Sequence, residues 1–241
     1  MRNRLINEQE YEKLDNPVWH SLSETHRNIS FNYPNIKFYD PAYCPFGGFN
    51  ANDNIASQID EYSRLTDNFF VVGEKPTYTS KIFLRKELVC LQMTLEKRIE
   101  TTTGEKIVKL DNSSADALSA LVNEVQPGYF RQKTNLMGDY FGIVKENKLV
   151  AVSGERMKMD AFTEVSAVVT HPSWTGKGFA KQLVAHTTHK IFDENKIPYL
   201  HVAETNFGAI RLYGKLGFKT RRRISFWNLE NPSHIRHHRT G

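Results

Sequence analysis

The sequence predicts a mixed α/β fold: a mostly antiparallel sheet flanked by helices. Three observations lead there. Apolar runs over 140–145 and 148–157 flank Glu146-Asn147, a hairpin signal that makes the two strands antiparallel neighbours. A third run, 162–170, passes through a glycine loop into a helical pattern over about 178–194 and then a strand at 199–203. A β–α–β crossover of that kind joins parallel strands. Hydrophobic residues make up 39% and charged residues 24%, ordinary values for a chain that buries a core.

The elements follow in order. Residues 7–27 read as helical, with Leu14, Val18, Leu22 and His26 along one face. The Pro- and Gly-rich aromatic stretch 31–50 predicts turns and short extended pieces that line a pocket or cap a core. Residues 53–66 read as a helix, and 68–73 and 88–95 as strands rich in Val, Phe, Leu and Met. Thr101-Thr102-Thr103-Gly104 reads as a linker. It divides an N-terminal region, 1–104, from a second part, 105–241. The second part opens with a strand at 107–110. Asp111-Asn112-Ser113 then offers N-cap chemistry for a helix over 114–125, and Pro127-Gly128 ends it. After the hairpin and the crossover come a short helix at 207–216 and a final strand or strand pair at 218–229. No internal repeat or low-complexity tract stands out.

Charge is uneven. The net charge is +5. Lys and Arg fall short of Asp and Glu, 12 to 14, in residues 1–104 and exceed them, 20 to 13, in 105–241. A basic second part suits an anionic ligand, either a nucleic acid or a polyphosphate. Arg221-Arg222-Arg223 and the tail IRHHR are the best support for nucleic acid. Strand alternation turns Arg222 away from its neighbours, however, and no nucleic-acid-binding module is present. No apolar run reaches the roughly 18 residues of a membrane span. The segment MRNRLINEQEYEKL has no apolar core of a secretory signal. The expectation is a cytoplasmic protein with Cys44 and Cys90 reduced, no membrane association and no metal.

The loop after the third run, THPSWTGKGFA at 170–180, carries the chemistry. Gly176 and Gly178 let the backbone turn sharply and approach a ligand closely. The next helix starts at once. Its first N–H groups lack intrahelical partners and its dipole is positive at that end, so a phosphate is the natural occupant. Lys177 adds a flexible cation, followed by Gly178, so the loop does not make the P-loop nucleotide motif. Lys181 at the third glycine position breaks the dinucleotide-binding fingerprint. A plain strand-to-helix turn remains the alternative for the loop alone.

These residues resemble the GNAT superfamily of N-acetyltransferases. The family's strand ending in V-x-x-H-P, then R/Q-G-x-G-x-A/G, reads here as VVTHP and Thr175-Gly176-Lys177-Gly178-Phe179-Ala180. Its downstream Asn, short helix, Tyr and LGF read here as Asn206, Tyr213 and Leu216-Gly217-Phe218. Thr175 departs from the usual Arg or Gln. The resemblance covers roughly 105–241, and the local wording is similar to glycine N-acyltransferase-like proteins.

The resemblance implies a sheet with splayed central strands and acetyl-CoA as co-substrate. Backbone groups of Val168, Val169 and Thr170 would hold the pantetheine arm. Amides from Gly176 through Ala180 would hold the pyrophosphate. Asn206 would contact the cofactor arm, and Ala209 would leave space for the thioester. Tyr213 would be the general acid. Glu164, six residues before the strand's end at Thr170, sits at the offset of the base in histone-acetylating members; Glu155 and Glu204 are rivals. His201 reads as a hydrogen-bonded strand histidine. The expected reaction is direct acetyl transfer to a primary amine of a small molecule or amino acid, by a monomer or homodimer. A non-catalytic acyl-CoA-binding module of the same fold is the alternative.

Overall fold

The computed structural model describes residues 7–100 and 104–232. The tail IRHHR and the threonines of the linker lie outside them. Among the described residues no helix is long and apolar enough to cross a membrane.

The first helical pattern is split. Helix α1 covers Glu8–Glu12, a 3-10 turn covers Lys13–Asp15, and α2 covers Pro17–Ser23. Proline cannot continue a helix but suits its first position. Here Asn16 caps the restart, its Oδ1 accepting from Trp19 N–H at 3.4 Å. The apolar face survives the break: Leu14, Val18, Leu22 and His26 are all buried. Three short strands follow, β1 (Ser30–Asn32), β2 (Ile36–Tyr39) and β3 (Phe46–Phe49). Then come α3 (Ile55–Tyr62), β4 (Asn68–Gly73) and β5 (Phe83–Thr94).

The second part supplies β6 (Ile107–Leu110), α4 (Ala115–Val125), β7 (Tyr140–Lys145), β8 (Lys148–Lys158) and β9 (Phe162–Thr170). It ends with α5 (Phe179–Asp193), β10 (Ile197–Ala203), α6 (Phe207–Lys215) and β11 (Lys219–Glu230). Glu146 and Asn147 both have positive φ, +50° and +59°, as the tight hairpin turn between β7 and β8 requires.

All strands join one sheet, ordered β1-β2-β3-β4-β11-β5-β10-β9-β8-β7-β6. It is mixed α/β and mostly antiparallel, and among the described residues the parallel pairs are β3–β4 and β9–β10. Each parallel pair is joined by a helix, α3 or α5. Each helix starts from a residue with left-handed φ, Asn54 at +60° and Gly178 at +76°. The linker at 101–104 does not part the sheet, because β5, from the first region, lies between β10 and β11 of the second. One core spans both regions: Leu14, Tyr39 and Phe46 pack in the same cluster as Met157, Phe162 and Phe226.

Candidate active site

The site forms where β9 leaves β10. The two strands pair only at Phe162–Ile197, Thr163–Pro198 and Glu164–Tyr199. Beyond that point β10 stays with β5 while β9 stays with β8, so one edge of β9 has no strand partner. A β-bulge accompanies the opening. The β8–β9 register passes from Val152↔Val169 to Gly154↔Ser166, an extra residue on β9, and Ala167 takes φ +50°. A bulge bends its strand and re-aims the edge. A non-glycine residue in that backbone region is held there by its surroundings, a recurrent feature of functional sites.

The gap is a pocket of about 310 Å³. Its lining includes Val168 and Val169 on β9, Asn206 and Ala209 at the start of α6, and Tyr213 one turn further. Asn206 caps α6, its Oδ1 accepting from Ala209 N–H at 3.1 Å. That fixes the turn that sends Ala209 and Tyr213 down the same face. Tyr213 is buried and packs edge-on against Phe218. Its hydroxyl has no hydrogen-bond partner among the described residues, and burial pushes the phenol up to about 12. Thr170 pairs with Ala151 and lies outside the pocket lining.

The glycine loop stands at the end of β9. Gly176 and Gly178 have φ +77° and +76°, where side-chain-bearing residues are strained. A Cβ at either would meet no protein atom within 4 Å, so the cradle beside them is open. No side chain caps α5, and its first turn has no acidic residue. The dipole end and its N–H groups therefore remain available to an anion. Lys177 reaches over the Trp174 ring at 4.5 Å, and that ring stacks on buried Phe179. Thr175 turns its hydroxyl inward, donating to Pro172 O at 3.0 Å. We expect Gly178→Ala to lower Tm by a few degrees, from about 1–2 kcal/mol of backbone strain. On the reading of the loop as a phosphate cradle, it should also weaken acetyl-CoA binding about tenfold, for roughly 1.4 kcal/mol of lost anion contact. Calorimetry on a variant that melts lower but binds unchanged would dissociate the loop from the ligand.

The family profile of FR47-like proteins matches residues 140–227. No curated protein matches the chain in sequence. Among solved structures, the chain is similar to a protein from Novosphingobium aromaticivorans assigned to the GNAT family of acetyltransferases. The two share 29% identity over 90% of this chain and 98% of that one, with a TM-score of 0.82. It is also similar to a GCN5-related N-acetyltransferase-like protein from Streptococcus suis, at 13% identity, 91% and 97% coverage and a TM-score of 0.62. A GCN5-related N-acetyltransferase from Kribbella flavida matches at 14% identity, 89% and 94% coverage and a TM-score of 0.60.

The chain has the GNAT N-acetyltransferase fold.

Within the GNAT fold the carboxylates differ from expectation. Glu164 lines the pocket but is not a free base. Arg156 holds it through Nε and Nη2, both at 2.8 Å. His201 Nδ1–H donates to its Oε1, also at 2.8 Å. Against the cost of burial, the Arg156 charge and these hydrogen bonds hold the carboxyl down at about 2, too weak a base to take a proton from an ammonium. A second bulge, on β8 between Glu155 and Lys158, accompanies the placement of Arg156 against Glu164. Glu155 is buried outside the pocket lining and paired with Lys158 at 2.7 Å. Glu204 also lies outside the lining and is paired with Arg223.

His201 is a hydrogen-bonded strand histidine, and its partners fix the ring. Gln92 Nε2 donates to Leu14 O at 2.7 Å, while Gln92 Oε1 accepts from Arg221. The Gln92 amide therefore presents N–H to His201 Nε2, at 3.2 Å. In this network Nε2 accepts and Nδ1 donates.

Sequence reasoning did not single out Arg156, nor the wall made by Tyr129 and Phe226. Phe46 fell within the pocket-or-cap stretch and now lines the pocket, as does Cys90. Burial pushes the Cys90 thiol up to about 12, so the thiolate needed for nucleophilic attack is scarce at neutral pH. The expected alternation of the arginine run also changes. A register shift between Thr220 and Arg222 lets Arg221 and Arg222 both reach Asp15, each at 2.6 Å.

Proposed function

We propose that this chain transfers an acetyl group from acetyl-CoA to a primary amine of a small molecule or amino acid, by direct attack in a ternary complex. The observation that carries the reading is convergence. The unpaired edge of β9, Asn206, Ala209 and the unpartnered Tyr213 hydroxyl all face one pocket. Along the β9 edge of Val168, Val169 and Thr170, the backbone groups that β8 does not take, at Val168 and Thr170 on either side of the Val152-paired Val169, suit the amide-bearing pantetheine arm as a strand-like partner. The amides from Gly176 to Ala180 suit the pyrophosphate.

An N–H on the β9 edge would meet the oxyanion, and Tyr213, protonated at neutral pH, would give its proton to the leaving thiolate. Glu164 serves as an anchor for Arg156 and His201. The amine then attacks from its unprotonated fraction, the N–C bond forms and the C–S bond breaks. The proton shed by the new amide nitrogen passes through water to re-protonate the Tyr213 phenolate. Cys90 is the one cysteine in the pocket lining, and its high pKa disfavours an acetyl-enzyme.

Residues 1–104 act in this reading as a degenerate companion region closing the acceptor side. Phe46, Leu88 and Cys90 reach the pocket from it, and β3–α3–β4 repeats the parallel arrangement of β9–α5–β10. The likeness to glycine N-acyltransferase-like proteins rests on motif wording and belongs to this proposal. So do a cytoplasmic setting, a monomer or homodimer, and no role for nucleic acid or membranes. The arginine run pairs with Asp15 and Glu204.

One observation favours a non-catalytic acyl-CoA-binding module instead: no carboxylate in the lining is free to act as base. Calorimetry with acetyl-CoA and free-thiol release with an amine panel separate the two. Binding with turnover is expected. Binding without any turnover favours the module, and no binding removes both readings.

A further inference from the structure

The acceptor end of the pocket has its own chemistry, and Arg156 is its centre. The guanidinium carries five N–H groups in a planar fork. Glu164 takes two of them, through Nε and Nη2. Nη1 and the second Nη2 hydrogen have no partner among the described residues, although the Arg156 side chain is only 12% exposed and lines the pocket. The fork cannot swing away to water. Its carbon lies 4.6 Å from the Phe46 ring centroid, and the bidentate contact to Glu164 fixes its plane. A buried Arg with three N–H groups unspent is a donor set awaiting an acceptor atom.

The surroundings restrict what that atom belongs to. Phe46, Tyr129, Phe226 and Leu88 present an apolar, largely aromatic wall, which suits a hydrophobic body. Glu164 is the one carboxylate in the lining, and its charge is already matched by Arg156. A polycation would therefore find no free counter-charge there. A second carboxylate would be buried beside Glu164 with no further cation to offset it, a costly arrangement. A neutral carbonyl oxygen can accept from two of the three free N–H groups, one on Nη1 and one on Nη2, and adds no charge.

Resting on the acetyltransferase reading, we propose that the acceptor is a small primary amine with an apolar or aromatic body and a neutral carbonyl oxygen, received by the free edge of Arg156. An α-amino amide with a hydrophobic side chain is the type. Arg156 is thus a specificity-determining residue, and Glu164 its positioning partner.

The test compares four acceptors with saturating acetyl-CoA, at equal concentrations of unprotonated amine: phenylalaninamide, phenylalanine, phenethylamine and spermidine. Phenylalaninamide should give the highest kcat/KM. Phenethylamine, which keeps the ring and lacks the oxygen, should fall at least tenfold lower, as expected for a lost hydrogen bond to a charged donor. Arg156→Lys keeps a cation for Glu164 but loses the fork. It should raise KM for phenylalaninamide about tenfold, leave acetyl-CoA affinity unchanged, and abolish the preference over phenethylamine.

The wild-type panel stands by itself if that variant does not fold. Preference for spermidine, phenylalanine or phenethylamine overturns the proposal while the acetyltransferase reading survives. Acetyl-CoA binding with none of the four acetylated overturns it too. Failure to bind acetyl-CoA in calorimetry removes the underlying reading and this inference with it.

Discussion

Glu164→Gln should destabilise the protein by about 3–5 kcal/mol. At roughly 2–4 °C per kcal/mol for a chain of this size, Tm should fall by about 6–20 °C. The reason is the partner, not the glutamate alone. Arg156 stays charged after the substitution, and its side chain is nearly buried. A Gln carbonyl accepts one guanidinium hydrogen bond, where the carboxylate accepted two and cancelled the charge. The same linkage predicts a pH dependence with a definite sign. The folded carboxyl is held down at about 2, against about 4.3 in an unfolded chain. A depressed carboxyl contributes stability above the unfolded value and loses it as pH falls from about 4.3 towards 2, on the order of 3 kcal/mol in all. Urea melts at pH 7 and pH 3 check both statements. Wild type should lose more stability than the variant over that interval. An equal loss would show that Glu164 is not the titrating group.

That pair also marks the limit of what the sequence reveals. Regular elements are legible because burial imposes a period. The strand at Asn68–Gly73 and the Glu146-Asn147 hairpin stand where apolar spacing and turn chemistry put them. Helix 7–27 keeps its buried face but not its continuity, since Asn16-Pro17 is a cap and a first-turn proline, signals that override the spacing. The strand predicted at 88–95 begins earlier, at Phe83, because its added residues Arg85, Lys86 and Glu87 carry little apolar signal.

At the site, the loop is readable because only glycine tolerates φ near +77° at Gly176 and Gly178 cheaply. The bulge at Ala167 is not, since alanine advertises no unusual backbone. Nor does the alternation of β8 foretell that an extra residue beside Arg156 accompanies its pairing with Glu164. A carboxylate at the expected offset looks like a base until its partner is placed. The pairing of residues 83–94 between the strands of the second region is a long-range event that no local pattern encodes.

Tyr213→Phe carries the other large expected effect, and it is kinetic. Loss of a positioned general acid costs about 10²- to 10⁴-fold, so thiol release in kcat should fall at least 100-fold. Stability should barely change. The ring remains packed against Phe218 and among Val202, Leu216 and Met93, and the hydroxyl has no partner to lose among the described residues. Acetyl-CoA affinity in calorimetry should shift less than threefold, because the proton is needed only as the thiolate departs. The pH profile supplies an independent check. With the phenol pushed up to about 12 by burial, wild-type kcat should show no falling limb from Tyr213 below pH 10. Over that range the rate should instead rise with the unprotonated fraction of the acceptor amine, since Glu164, held near 2, contributes no base limb. A falling limb near pH 10 in wild type that vanishes in the Phe variant would mean the phenol titrates as if exposed. An unchanged kcat in the variant would assign the departing thiolate's proton to another group and leave Tyr213 as a packing residue.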